Sequence, residues 1–175
     1  MGGILVIGSY NRDTALRLER FPAPGETLTA LGMAEFHGGK GSNQAVAAAR
    51  AGGRVALIAA IGDDASGQAA RALWAAEGID AQSVQTASVP TGAATILLDA
   101  AGENQIIIIP GANAELALPP GFTPPADIAV ALAQLETPQA ATAAMFRALP
   151  GTRRILNVAP AAPIAPELLA TTDML

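Results

Sequence analysis

Short apolar runs recur along the chain at intervals that suit buried strands. Ile4-Leu5-Val6-Ile7 is continuously apolar, rich in β-branched residues, and stops at Gly8. Residues 55–61 and 128–132 repeat the pattern, and 154–157 begin a further strand. A run without polar alternation is what a central strand covered on both faces requires. Between these runs lie Ala-rich segments of helical character. One runs from Asn43 and ends near Gly52-Gly53, a second spans 66–77 with Gly78 as its stop, and a third runs from Thr137-Pro138 to Leu149. Residues 166–171 read as a short helical turn, and 79–84 as one more strand. Strands alternating with helices predict an α/β fold with a mainly parallel central sheet.

Two stretches carry a different pattern. From 14 to 36 polar and apolar residues partly alternate, as in Leu16-Arg17-Leu18-Glu19, and Pro22, Pro24 and Gly25 supply a turn. Residues 91–99 and 104–109 flank Ala100-Ala101-Gly102-Glu103 in the same manner. Both read as exposed antiparallel hairpins. Ile106-Ile107-Ile108-Ile109 is apolar on every residue, so one face of that strand needs a partner.

Composition narrows the function classes. Hydrophobic residues make up 51% of 175 residues but aromatics only 3%, so the core is built from Ala, Leu, Ile and Val, which suits helices packed closely on a sheet. The net charge of −5 and a pI near 4.7 leave no basic stripe for nucleic acid or an anionic membrane. With no cysteine, a disulfide frame and Cys-based metal sites are excluded. Neither a signal peptide nor an apolar run of membrane-spanning length is read, and a cytoplasmic location is expected.

The candidate chemistry concentrates in residues 37–52, His-Gly-Gly-Lys-Gly-Ser-Asn-Gln followed by small residues. Gly38, Gly39 and Gly41 surround the sole lysine, Lys40, and Ser42 or Asn43 is placed to cap the helix that follows. A helix N-terminus with free N–H groups and an added lysine suits a polyhydroxyl or anionic guest. The segment is not a P-loop, since the pattern needs glycine where Ala34 stands and Ser or Thr where Gly41 stands. A close-packing turn before a small-residue helix is the plainer alternative.

Asn11 and Asp13 follow the carboxyl end of the first strand, where open α/β sheets place ligands; an Asx turn is the other reading. Asp63-Asp64 is read as a helix cap in preference to a metal site. Glu136, just past a strand end, is either a ligand group or a dipole partner for the helix after it. His37, the single histidine, is read as a structural residue near the hinge of the first hairpin.

The segment Gly38-Gly39-Lys40-Gly41-Ser42-Asn43-Gln44-Ala45 closely resembles the first signature of the ribokinase-like (PfkB) carbohydrate kinases. Gly8-Ser9-Tyr10-Asn11-Arg12-Asp13, the Phe21-to-Thr27 stretch, Gly62-Asp63-Asp64, Gly111-Ala112-Asn113-Ala114, Gln134-Leu135-Glu136 and Asn157-Val158-Ala159-Pro160-Ala161 fit that family in the same order. The resemblance covers essentially the whole chain. It implies a Rossmann-like ribokinase fold over 1–175, with a small β-strand lid at about 14–37 and 91–110. It also implies an ATP-dependent kinase acting on a pentose hydroxyl, ribose first, with Mg²⁺ and a monovalent cation such as K⁺.

By the same resemblance Asn11, Asp13, Gly39, Lys40, Gly41, Ser42, Asn43 and Glu136 hold the sugar, and the lid strands pair two copies into a homodimer. No catalytic or metal-ligating residue is assigned. In the family the nucleotide site, the anion hole and the catalytic aspartate come from a later half, and the Gly-Ala-Gly-Asp type signature that carries them is absent from these residues. The chain is therefore expected to form a partial domain, inactive alone, with apolar surface exposed. The alternatives are a non-catalytic sugar-binding or dimerisation module, and a kinase for fructose, deoxyribose or a nucleoside.

Overall fold

A computed structural model describes residues 2–119 and 121–175. The central sheet is made of β1 (Gly3–Ile7), β4 (Val55–Ile58), β9 (Ile128–Ala133) and β10 (Arg153–Leu156), in the order β10-β9-β1-β4. Every pairing in it is parallel. The apolar runs alternate between the two faces. Leu5 and Ile7 join Ile58, Ala131 and Leu156 against Met145, Phe146 and Leu149 at helix α3 (Gln139–Arg147) and Leu168 of α4 (Pro166–Leu169). Val6, Val55 and Leu57 face Ala45 of α1 (Lys40–Arg50) and Ala70 and Trp74 of α2 (Ala65–Ala76). Burial on both faces is why β1 and β4 lack polar alternation; in β9 only Ala131 and Ala133 are buried and in β10 only Leu156, so the burial on both faces expected of 128–132 is not reached.

A second sheet has the order β3-β2-β7-β8. Strands β2 (Asn11–Arg17) and β3 (Gly32–Gly38) form one antiparallel pair, β7 (Ala93–Leu98) and β8 (Asn104–Ile109) the other, and β2 joins β7 in parallel. The two predicted hairpins thus form a single sheet. Asn11 and Asp13 lie inside β2 and not in an Asx turn, because their backbone groups pair with Gly38 and Phe36 of β3. On β8 all four isoleucines are exposed.

Two predicted strands come out differently. The 55–61 run divides at Ala59, and its second part, β5 (Ala60–Gly62), leaves the central sheet to pair with β6 (Gln85–Ala87). Residues 79–84 form no strand. Asp80 makes one bridge to Ala56, after which its Oδ1 accepts from the Gln82 N–H at 3.0 Å. The Val84 N–H then donates to the Ala81 carbonyl, so the chain turns before a ladder extends. Asp64 does cap α2: its Oδ1 accepts from the Gly67 N–H at 2.8 Å and from the Thr91 hydroxyl at 2.7 Å.

Trp74, the largest fully buried side chain among the described residues, ties parts of the core together. Trp74 is fully buried, packs edge-on against Tyr10 with ring centroids 5.5 Å apart, and donates from Nε1 to Ser42 Oγ at 2.9 Å. The Tyr10 hydroxyl pairs with His37 Nδ1 at 2.8 Å, which connects this cluster to β3 and gives His37 the structural role expected of it. Replacing Ser42 by Ala strands the indole N–H in the core. Ser42→Ala is expected to lower unfolding free energy by about 1–3 kcal/mol in urea titrations; unchanged stability would mean that this bond carries no weight.

Candidate functional site

The site forms where β1 and β9 end, β2 begins and α1 starts. Helix α1 begins at Lys40, three residues earlier than the start expected at Asn43 and ahead of both expected caps, Ser42 and Asn43; Gly39 precedes it with φ 85° and no side-chain cap. That φ lies in the left-handed region, and a Cβ at Gly39 would stand 2.6 Å from the Tyr10 Cα and 2.8 Å from the Ser9 carbonyl oxygen. Glycine is required there on both counts.

No side-chain cap is needed because partners from other strands satisfy the helix terminus. The Lys40 N–H donates to Glu136 Oε2 at 2.8 Å, and the Ser42 N–H to the Ser9 carbonyl at 2.8 Å. The Gly41 N–H donates to Ser9 Oγ at 3.3 Å. These groups are therefore committed within the protein, and the expectation that they stand free for a ligand is corrected. Ser42 points its hydroxyl at Trp74 and caps nothing.

Glu136 is thus a dipole partner, but for α1 and not for α3, the helix after it. Its Oε2 also accepts from the Ser9 hydroxyl at 2.5 Å, and its Oε1 accepts from Lys40 Nζ at 2.9 Å. Burial pushes its carboxyl pKa up. The hydrogen bonds from Ser9 and Lys40, with the lysine charge, outweigh that and hold it below the usual value. The side chain of Glu136 is 10% exposed and that of Lys40 39%, so the ammonium is the more accessible partner.

Asp13 differs. Its Oδ1 is buried and has no hydrogen-bond partner among the described residues. Burial, reinforced by the Glu136 charge and opposed by Lys40, raises its pKa above the ordinary carboxylate value. Asn11, two residues away on the same face of β2, is 5% exposed and accepts at Oδ1 from Asn113 Nδ2 at 2.8 Å.

One cavity of about 130 Å³ is lined by Asn11, Asp13, Gly39, Lys40, Asn43 and Glu136, and is closed on its apolar side by Ala94, Ile96, Ile106 and Ile108. Six of the eight residues expected to hold a ligand converge on it. Gly41 and Ser42 do not line it: Gly41 is pressed on the Gly8-Ser9 backbone, and Ser42 is buried behind the first turn. A larger open groove of about 530 Å³ beside α1 is lined by Phe36, His37, Val46 and Leu73 among others. Neither Asp13 nor any other buried unpartnered polar side chain faces that groove, so the smaller cavity is the better-built site.

Sequence reasoning passed over Ser9, Asn113 and the apolar wall. Ser9 and Asn113 both sit inside segments with a recognisable pattern, next to strand or turn boundaries. Their partners lie 127 and 102 residues away, and no local spacing points to them.

The family described as pfkB family carbohydrate kinase matches residues 1–171. A ribokinase from Haemophilus influenzae is 40% identical over 178 residues, covering 98% of this chain and 58% of the relative. Among solved structures, a ribokinase from Thermotoga maritima matches with a TM-score of 0.87 and 34% identity over 99% of this chain and 59% of that one. Arabidopsis thaliana ribokinase complexed with ribose and ATP matches at 0.85 and 30%, over 99% and 57%. The chain spans less than two thirds of the length of each of these proteins. On the family match and these identities, the chain belongs to the pfkB family of carbohydrate kinases.

Proposed function

We propose that this chain supplies the sugar-binding part of an ATP-dependent carbohydrate kinase that phosphorylates a pentose hydroxyl, with ribose as substrate. The observation that carries the reading is the unpartnered, buried Asp13 oxygen in a small cavity beside Asn11, Lys40 and Asn43. A buried carboxylate oxygen without a donor is costly. A hydroxyl-rich guest would supply that donor and present its own oxygens to Lys40 and Asn11. The cavity's size suits one small polyol and not a nucleotide. The Arabidopsis relative, solved with ribose and ATP, supports the same substrate class.

In this reading the chain's residues bind and orient. Asp13 accepts from sugar hydroxyls, Lys40 and Asn43 donate to sugar oxygens, and Gly39 lets the backbone approach. Glu136 holds Lys40 and the start of α1 in place, and Ile96, Ile106 and Ile108 give the sugar's carbon face an apolar wall. The second sheet acts as the lid over the sugar. Phosphoryl transfer also needs a base, charge neutralisation and a nucleotide site. Among the described residues no group of three or more His, Cys, Asp or Glu side chains is placed to hold a metal ion, and Asp64 is occupied in capping α2. No such side-chain cluster offers Mg²⁺ a ready ligand set, and ATP, Mg²⁺ and a monovalent cation such as K⁺ belong to this proposal only for the intact kinase.

A second reading, a dimerisation module, draws on β8, an edge strand whose isoleucines are exposed on both faces. Pairing through the lids would cover that edge. Sedimentation of the 175-residue chain is expected to give a dimer; a monomer at high concentration would exclude lid pairing. No helix among the described residues is long and apolar enough to cross a membrane, and a cytoplasmic location remains part of the proposal.

Calorimetry should detect ribose binding to the chain, and Asp13→Asn should abolish it. The raised Asp13 pKa means that its ionised form destabilises the ligand-free fold at neutral pH, a cost that disappears as pH falls through that pKa. Asp13→Asn should therefore keep or raise the thermal midpoint, by up to roughly 4 °C, while binding is lost. A folded wild-type chain indifferent to ribose, fructose and adenosine would end the sugar reading.

The pH dependence of binding has a defined sign. Hydroxyl donors favour ionised Asp13, so binding lowers its raised pKa and releases a proton. Affinity should hold at neutral pH and weaken as pH falls through the free-state pKa, above the ordinary value of 3.8. Calorimetry across that range in two buffers of different ionisation heat reads both effects, and affinity that rises on acidification would contradict the role of Asp13.

A further inference from the structure

Asn113 lies in the 3-10 turn Gly111–Glu115, is 3% exposed, and hydrogen-bonds to one residue that lines the cavity, Asn11. Its side chain is held from three sides. The Tyr10 N–H donates to its Oδ1 at 2.9 Å, and its Nδ2 donates to the Tyr10 carbonyl at 2.9 Å and to Asn11 Oδ1 at 2.8 Å. A backbone N–H only donates and a backbone carbonyl only accepts, so the Asn113 amide has one permitted orientation; its flip would set N–H against N–H and oxygen against oxygen. With Asn113 Nδ2 fixed as a donor, the Asn11 atom facing it must be the oxygen. Asn11 Nδ2, which has no acceptor among the described residues, is then the end left for the cavity.

Gly92 keeps this pair in place. A Cβ there would stand 2.2 Å from Asn113 Nδ2 and 2.5 Å from Asn11 Oδ1, so the bare backbone at the start of β7 is what leaves space for the two amides. The Gly92 carbonyl accepts from the Arg12 N–H at 2.8 Å, tying the same point to β2. Polarity is thus passed from the backbone of Tyr10 through Asn113 to Asn11.

We propose that Asn113 is a positioning residue that fixes the hydrogen-bond polarity of Asn11, so that the cavity presents an amide donor beside the acceptor-only Asp13. A ligand must then offer hydroxyl oxygen to Asn11 and hydroxyl hydrogen to Asp13, which a polyol does and a ligand with only donors or only acceptors does not. The ligand class rests on the sugar reading above; the polarity of Asn11 does not.

Side-chain amide exchange in the ¹⁵N-labelled 175-residue chain separates the two. Without sugar, the Asn113 amide protons should exchange slowly and those of Asn11 fast, with signals assigned by their loss in Asn113→Ala and Asn11→Asp. Slow exchange at Asn11 in the free chain would overturn the proposal. With ribose, the Asn11 amide signals should shift and become protected. Asn11→Asp keeps the acceptor for Asn113 but turns an acceptor toward the cavity. At mildly alkaline pH it should lose roughly tenfold or more in ribose affinity with the Asn113 signals unmoved. Wild-type affinity in Asn11→Asp would also overturn the proposal, even if Asn113→Ala fails to fold. If ribose binds neither protein while the exchange pattern stands, the sugar reading fails and the imposed polarity is upheld.

Discussion

The arrangement depends on one carboxylate at the start of one helix. Glu136, carried on the strand-to-helix connection after β9, satisfies the first N–H of α1 and pairs with the lysine of that same residue. Ser9, just past β1, takes the next two N–H groups through its hydroxyl and carbonyl. Two adjacent parallel strands thereby hold one helix end by its polar groups. Removed from water, those groups would be costly to leave unpaired, so the connection is directional as well as attractive.

This has a consequence for the cavity. A helix terminus is often treated as a ready anion site, but here its N–H groups are used internally and only Lys40, Gly39 and Asn43 remain to face a guest. The charge balance follows from the geometry. Three donors surround Glu136 and hold its pKa down, while Asp13 has no donor on its buried Oδ1 among the described residues and only the Lys40 charge to oppose its burial. Two carboxylates in one small space thus take opposite states of readiness, one structural and one waiting for a partner.

The second sheet is joined to this centre through polar and aromatic contacts at its root. Asn113 locks Tyr10 and Asn11 to the turn after β8, and Tyr10 rests on Trp74 and pairs with His37. The edge strand β8 lacks such cover, and its isoleucines are exposed. A hydrogen-bonded root at one end and an open apolar edge at the other give this sheet two unlike surfaces.

Much of this was legible from residue order alone. Continuous apolar runs at 4–7, 55–61 and 128–132 mark strands, and burial on both faces holds for β1 and β4, while the second run divides at Ala59 and β9 stays partly exposed. The glycine–lysine turn marked the start of the helix, and Asn11, Asp13 and Glu136 were conspicuous as polar residues just beyond strand ends. The partners of those residues were not legible. That Glu136 would serve α1 and not its own following helix, that Ser42 would answer Trp74, and that 79–84 would turn at Asp80 are all decided by groups far away along the chain. Period and propensity describe how a segment presents its side chains to a surface. Which hydrogen-bond partner waits on that surface is set only when distant strands pack, because unpaired polar groups accept whichever donor the tertiary fold brings within 3 Å.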